Sequence, residues 1–159
     1  MRNVLATIVV LAGGLWLGAM VITVISLSVF FMTDRGLAVQ FGPKIIHIFE
    51  MYQALVGGVT LVAMVGWRMY YCVPLKRWMT RLLIVAALAA TFSTAVVTPR
   101  IDALWNAGES RSPEFWKWHG ISQTVYLTEF LCLTAAMLLA PWAIRSDARH
   151  ETLQATGAA

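Results

Sequence analysis

Four long runs of apolar residues, separated by short polar connectors, dominate the hydropathy pattern of the chain. The runs cover residues 4–32, 45–67, 79–98 and 116–142. Each is close to or longer than the roughly 20 residues that a helix needs to cross about 30 Å of hydrocarbon. Because lipid offers the backbone no hydrogen-bond partners, each run must satisfy its own, as a helix does. The sequence therefore predicts an all-α protein, a bundle of four transmembrane helices.

The polar connectors contain residues that typically end and start helices. Residues 33–36 (Thr-Asp-Arg-Gly) are expected to end the first span, and Gly42-Pro43 is expected to start the second. Pro99 is expected to close the third span. Ser112 is expected to cap the fourth, with Pro113 in its first turn.

The composition agrees with a membrane location. Apolar residues make up 59% of the chain and charged residues 13%, whereas soluble domains have about 25% charged residues. The net charge of +4 is carried by bases in short connectors, where they meet lipid headgroups, so no nucleic-acid partner is expected. The spans form one domain, residues 1–142, and a polar, disordered tail is predicted for residues 143–159.

The distribution of charge between the connectors predicts the orientation. The connector between the second and third spans is basic and contains no acid, whereas the other two contain both signs. By the positive-inside rule, both termini are expected in the cytoplasm. Tryptophans cluster at the predicted span ends, as in an aromatic belt: Trp67, Trp78, Trp105, Trp116, Trp118 and Trp142.

Two histidines are the most informative chemical feature. His47 and His119 lie near the starts of the second and fourth spans, which both enter from the same face, so similar depths are expected. Glu50 lies one turn below His47. A polar stripe on the fourth span consists of His119, Ser122, Tyr126 and Glu129. Because a carboxylate in hydrocarbon is costly unless paired or neutral, Glu129 is expected to be neutral or bonded to a neighbour such as Tyr126.

Several interpretations of these residues stay open. In the first, His47, Glu50 and His119 bind a copper or iron ion. In the second, His47 and His119 are axial ligands of haem b, and Arg100 faces the propionates. In the third, the histidines and glutamates only form hydrogen bonds between helices or at the headgroups. A proton or ion path is the remaining alternative.

Small residues and cysteines have simpler interpretations. Gly14-x-x-x-Gly18 is a common close-packing pattern, for a neighbouring helix or for a partner chain, and replacing Gly18 by leucine is expected to weaken the bundle or its assembly. Cys72 and Cys132 are expected to be unpaired thiols.

Three segments resemble a known family. They are residues 15–18 (Leu-Trp-Leu-Gly), 98–101 (Thr-Pro-Arg-Ile) and 115–122 (Phe-x-x-x-His-Gly-x-Ser). Together they resemble bacterial four-helix membrane proteins of unknown function in the copper-resistance-D-like superfamily, over residues 12–140. The resemblance implies a four-helix bundle in the bacterial inner membrane and a superfamily linked to copper uptake and haem-pathway chemistry. It gives weight to Trp16, Gly18, Pro99, Arg100, His119 and Ser122.

These observations lead to one functional hypothesis and one main alternative, while a third class, an integral oxidoreductase, requires a bound redox cofactor. The first is a non-catalytic, multi-pass membrane protein whose outward-facing polar site, centred on His119, binds or helps to handle a metal ion or haem. The alternative is an accessory subunit of a larger membrane complex, or a self-associating protein, with no cofactor of its own. Catalysis by side chains alone is not expected, because the sequence contains no nucleophile–base pair, phosphate loop or zinc-hydrolase signature.

Overall fold

The fold is a bundle of long helices, described by a computed structural model for residues 1–70 and 73–157, so Cys72 lies outside the described residues. Its elements are α1 (Arg2–Thr33), α2 (Arg35–Arg68), α3 (Pro74–Phe92), a π-helical segment (Ser93–Val97), α4 (Thr98–Asn106) and α5 (Pro113–Gly157). α3, the π segment and α4 are continuous. Four helical stretches are thus long and apolar enough to cross a membrane. The predicted four-helix membrane bundle is confirmed, and no strand occurs among the described residues.

The helices alternate in direction around a common core. α1 packs mainly along α2, and α3 along α5, while α2 meets α3 and α1 meets α5. One end of the bundle, called here the Asp34 end, holds the α1–α2 turn and the α4–α5 loop. The opposite end, called the Asp147 end, holds the start of α1 and the α2–α3 connection. The largest buried side chains between the helices include Trp16, Trp67, Met20, Met64, Met79, Leu83 and Leu133.

A single residue turns the chain between α1 and α2. The Asp34 carboxylate accepts hydrogen bonds from the backbone N–H groups of Gly36 at 2.8 Å and Leu37 at 3.2 Å. Because this cap satisfies the first free N–H groups of α2, the helix begins at once. The predicted start at Gly42-Pro43 is wrong, since Pro43 lies inside α2. A proline there removes one backbone hydrogen bond without ending the helix.

The third span continues past Pro99, which was expected to close it. The backbone N–H of Thr98 bonds to the carbonyl of Ser93, five residues earlier, as in a π-helix. Pro99, which has no N–H to donate, directly follows this π-helical segment, and the helix continues through it. The helix therefore extends to Asn106.

The last helix begins as predicted and ends later than predicted. Ser112 Oγ accepts a hydrogen bond of 3.1 Å from the N–H of Phe115, which confirms the cap. The helix continues to Gly157, so residues 143–157 are helical where a disordered tail was expected. Asp147, within this segment, is buried against the other helices, and its contacts give the physical reason for the order.

A buried ion pair joins three helices at the Asp147 end. Lys76 Nζ lies 2.6 Å from Asp147 Oδ2, and Trp67 Nε1 donates to the same oxygen at 2.8 Å. Lys76 also donates to the Trp67 carbonyl at 3.3 Å, and its side chain is fully buried. Trp67 therefore belongs to the core and not to an aromatic belt, although Trp78, Trp116 and Trp142 are more than half exposed.

The first prediction concerns this pair. Asp147→Ala should lower the free energy of unfolding by about 3–5 kcal/mol, because the Lys76 ammonium stays buried without its carboxylate. The matched control is Glu151→Ala, on the same helix. Its ion pair with Arg2 is also 2.6 Å long, but the glutamate side chain is 62% exposed, so a loss of at most about 1 kcal/mol is expected. Thermal unfolding in detergent measures both, and equal losses would contradict the prediction.

The two glycines of the predicted Gly14-x-x-x-Gly18 pattern make no close contact with another helix. A Cβ atom added at Gly14 or Gly18 would meet no atom within 4 Å. At Gly57, in contrast, it would lie 3.0 Å from Trp16 Cη2 and Cζ3. Gly57, which accommodates the Trp16 ring, and Gly66, where a Cβ atom would lie 3.2 Å from Leu5 Cδ1, are therefore small residues that bring α1 and α2 together.

The second prediction tests this difference. Gly57→Leu should destabilise the bundle by about 1–3 kcal/mol, because the new side chain overlaps the buried Trp16 ring. Gly18→Leu, a change of the same size, should stay within about 0.5 kcal/mol of the wild type. Unfolding temperatures in detergent compare the two variants. A loss at Gly18 as large as that at Gly57 would show that the glycine positions have been misassigned.

Candidate functional site

His47 connects α2 to α4 near the Asp34 end. Its Nε2 lies 3.1 Å from Asp102 Oδ2, and its Nδ1 lies 3.5 Å from Glu50 Oε2. The ring thus lies between two carboxyl groups, one on its own helix and one across the bundle. The contact with Glu50 agrees with the one-turn spacing in the sequence. Asp102 was not predicted, since the third span was expected to end before it.

Glu50 is buried and held from two directions. Only 4% of the residue is exposed. The Thr98 hydroxyl donates a 2.5 Å hydrogen bond to Oε1, while His47 approaches Oε2. Thr98 is the residue that directly follows the π-helical segment, so this irregular turn determines where the hydroxyl meets Glu50. Such turns are frequent at functional sites.

Glu129 is fully buried on α5 and is bonded to α1. Trp16 Nε1 donates a 2.9 Å hydrogen bond to Glu129 Oε1. Glu129 is thus bonded to a neighbouring side chain, as expected, but the neighbour is Trp16 and not Tyr126: within the described part of the chain, the Tyr126 hydroxyl and Glu129 Oε2 both lack a hydrogen-bond partner. The Tyr126 ring instead packs against Phe49 of α2, with 5.6 Å between ring centroids.

His119 and Arg100 lie among aromatic rings near the start of α5. The His119 ring stacks on Phe115, with centroids 6.0 Å apart and planes 8° apart. Its Nε2 is 3.3 Å from the side-chain nitrogen of Gln123. Arg100 is exposed, and its guanidinium carbon lies 6.0 Å from the centroid of the Trp118 ring. Arg100 therefore lies at the surface beside an aromatic ring.

The residues predicted to bind a metal or haem do not fit those groups. Among the residues that the structure describes, no group of three or more His, Cys, Asp and Glu side chains is placed to hold a metal ion. His47, Glu50 and His119 therefore do not form such a set. A bis-histidine haem needs an imidazole nitrogen from each histidine, but both nitrogens of His47 face carboxyl groups. The arrangement does not fit that haem.

A large cavity of about 840 Å³ lies in the half of the bundle nearest the Asp34 end. Residues of α1 between Met20 and Met32 form one wall, which is apolar except for Thr23 and Ser28. The facing walls, from the third span and α5, carry polar side chains: Ser93, Thr98, Asp102, His119, Ser122, Gln123 and Tyr126. Three members of the predicted polar stripe thus face one cavity, and Glu129 lies beyond it.

A small cavity of about 350 Å³ lies between α2 and α3. Its lining includes Trp16 and two buried polar side chains, Glu50 and Gln53. The two cavities share no lining residue. Gln53 was missed at the sequence level, although the spacing of His47, Glu50 and Gln53, each three residues apart, places all three on neighbouring faces of one helix.

Comparison with known proteins identifies no relative of the chain. No protein-family model, curated protein or solved structure matches it. The resemblance to the copper-resistance-D-like superfamily stays a prediction.

The third prediction concerns the Trp16–Glu129 hydrogen bond. Glu129→Gln should fold and accumulate like the wild type, because the amide oxygen can still accept the indole hydrogen bond. Glu129→Leu removes the acceptor and leaves the buried Trp16 N–H unpartnered, at a cost of about 1–3 kcal/mol. The amount of protein in the membrane and the unfolding temperature in detergent separate the two variants. A glutamine variant that fails to accumulate would contradict the prediction.

Proposed function

We propose that this chain is a non-catalytic, multi-pass protein of the bacterial cytoplasmic membrane that binds an amphipathic small molecule in the large cavity. Both termini face the cytoplasm in this proposal, so the cavity lies in the outer half of the membrane. The proposal rests on one observation: the wall formed by α1 is mainly apolar, whereas the facing walls carry most of the polar side chains. A membrane-dissolved molecule with a polar head matches this division.

The size and depth of the cavity support a ligand of that kind. A volume of about 840 Å³ is within the range of about 300–1,000 Å³ typical of small-molecule sites. Its apolar side is formed by residues such as Val24 and Phe31 of α1, and it resembles the lipid phase from which a ligand would come. Entry of an apolar group therefore costs little.

The polar wall supplies the specificity. Thr98 and Ser122 offer hydroxyl groups, Asp102 an acceptor, and His119 and Gln123 groups able to donate or accept. The Tyr126 hydroxyl, also in the lining, has no hydrogen-bond partner among the described residues. Away from water, a ligand head that pairs with this hydroxyl is favoured over an alkyl chain, which would leave it unpaired. This contrast supports a ligand with a hydrogen-bonding head over an ordinary acyl chain.

A haem is one molecule of this chemistry, and His119 is the histidine on the cavity wall. The haem form of the proposal requires a single protein imidazole, because His47 is bound to Glu50 and Asp102. A bare copper or iron ion is less well supported, since it needs several ligands that converge on one point.

The fourth prediction fills the cavity. Val24→Trp should reduce the retention of a bound small molecule several-fold, because Val24 lines the cavity and an indole there occupies its volume. Val29→Trp is the matched control on the same helix, because Val29 is similarly exposed and lies outside the lining. Protein purified in mild detergent is analysed by native mass spectrometry, and solvent extracts identify the released molecule.

The outcomes of this experiment separate the ligand classes. A molecule enriched over membrane lipid in the wild type and in Val29→Trp, but lost in Val24→Trp, supports the proposal. A Soret band that disappears in His119→Ala identifies haem. Phospholipid alone, in the proportions of the whole membrane and equal in all variants, refutes the site.

One observation favours the accessory-subunit alternative. Gly14 and Gly18 lie on the surface of α1 with open space beside them, so they allow a helix of another chain to approach closely. If this surface is an interface, Gly18→Leu lowers the oligomer size in detergent while the unfolding temperature stays unchanged. An unchanged oligomer size removes the alternative.

A further inference from the structure

We propose that the small cavity between α2 and α3 is a second binding site, which takes an organic ammonium ion. The site is distinct from the large cavity, because the two share no lining residue. The proposal therefore does not depend on the proposed function of the large cavity.

The charge of the lining selects a cation. Glu50 contributes a carboxylate, and none of the described residues that line the cavity is basic. Thr91 of α3 and Thr94 of the π-helical segment add hydroxyl groups on the opposite side. An anion would meet repulsion from Glu50, whereas a cation gains an attraction that is strong away from water.

Gln53 provides an observation independent of the acidic group. Only 2% of this residue is exposed, and it lines the cavity one turn from Glu50. Neither its side-chain oxygen nor its side-chain nitrogen has a hydrogen-bond partner among the described residues. An unpaired buried amide is costly. A ligand in the cavity would contact this amide, and the partial negative charge of the amide oxygen attracts a cation.

The remaining walls favour an organic cation over a metal ion. Trp16 forms part of the lining, and its ring is held in place by the hydrogen bond to Glu129. Indole rings attract ammonium groups over their faces, as in sites for quaternary ammonium ligands. Small side chains and glycines complete the cavity: Ala54, Gly57, Gly58, Ala87, Ala90 and Ala95. These residues leave room for alkyl substituents but offer no side-chain ligands to a metal.

The location of the cavity indicates how the ligand arrives. The cavity opens sideways from the bundle, because four of its lining residues are exposed: Ala54 and Gly58 of α2, Thr91 of α3 and Thr94 of the π-helical segment. In a membrane, this side faces lipid. A cation with apolar substituents, which dissolves in the lipid phase, can reach Glu50 from there.

The fifth prediction uses tetraethylammonium as the probe and isothermal titration calorimetry of the full chain in detergent. The wild type should bind one equivalent, and 3-ethyl-3-pentanol, a neutral molecule of similar shape, should bind at least about tenfold more weakly because it lacks the charge. Glu50→Gln should weaken binding of tetraethylammonium by about tenfold or more for the same reason. Glu114→Gln, which removes an exposed carboxylate outside the cavity, is its control.

A second variant keeps the test decisive if Glu50→Gln does not fold. A Cβ atom at Gly58 meets no atom within 4 Å, so Gly58→Leu fits without disturbing the helices and fills the cavity. Binding should be lost. Gly120→Leu, at another glycine with open space and outside the lining, should leave binding unchanged. The absence of saturable binding to the wild type, or equal binding of the probe to Gly58→Leu and the wild type, overturns the proposal.

Discussion

Lipid offers no partner to a buried charge, and this constraint determines where the charged side chains of the bundle lie. At the Asp147 end, Lys76 of α3 forms an ion pair with Asp147 of α5, and the same carboxylate accepts a hydrogen bond from Trp67 of α2. Toward the Asp34 end, Glu129 accepts a hydrogen bond from the uncharged Trp16 N–H, and Glu50 lies between the Thr98 hydroxyl and His47 Nδ1. The ion pair at the Asp147 end holds three helices together, whereas the acids toward the Asp34 end lie among polar groups and cavities.

Trp16 connects the fold to the candidate site. Its ring lies against Gly57 of α2, its N–H binds Glu129 of α5, and its surface forms part of the small cavity. α1 is apolar almost throughout. Among the described residues, the Trp16 N–H donates the buried side-chain hydrogen bond that links α1 to the rest of the bundle. The same contact therefore stabilises the bundle and positions a wall of the site.

The parts of the structure that depend on local sequence could be predicted. The four spans follow from the length of the apolar runs, and the Ser112 cap follows from its position before Pro113. The parts that depend on rotation of one helix against another could not. Asp147 lies in a polar stretch of sequence that does not indicate burial, because only the packing of α5 brings this residue to Lys76. Likewise, Tyr126 was the neighbour expected to bond to Glu129, and the rotation of α5 against α1 brings Trp16 to it instead.

The contact between Thr98 and Glu50 has a consequence for the two proposed sites. Thr98 lines the large cavity and Glu50 lines the small one, and the two side chains are joined by a 2.5 Å hydrogen bond. An ammonium ion that draws the carboxylate toward the small cavity weakens this bond and frees the hydroxyl for a ligand in the large cavity. Because coupling between binding sites is reciprocal, a ligand that captures Thr98 in turn frees Glu50 for the cation. If both sites bind, each ligand should therefore strengthen the other through this single hydrogen bond, and Thr98→Val should remove the coupling.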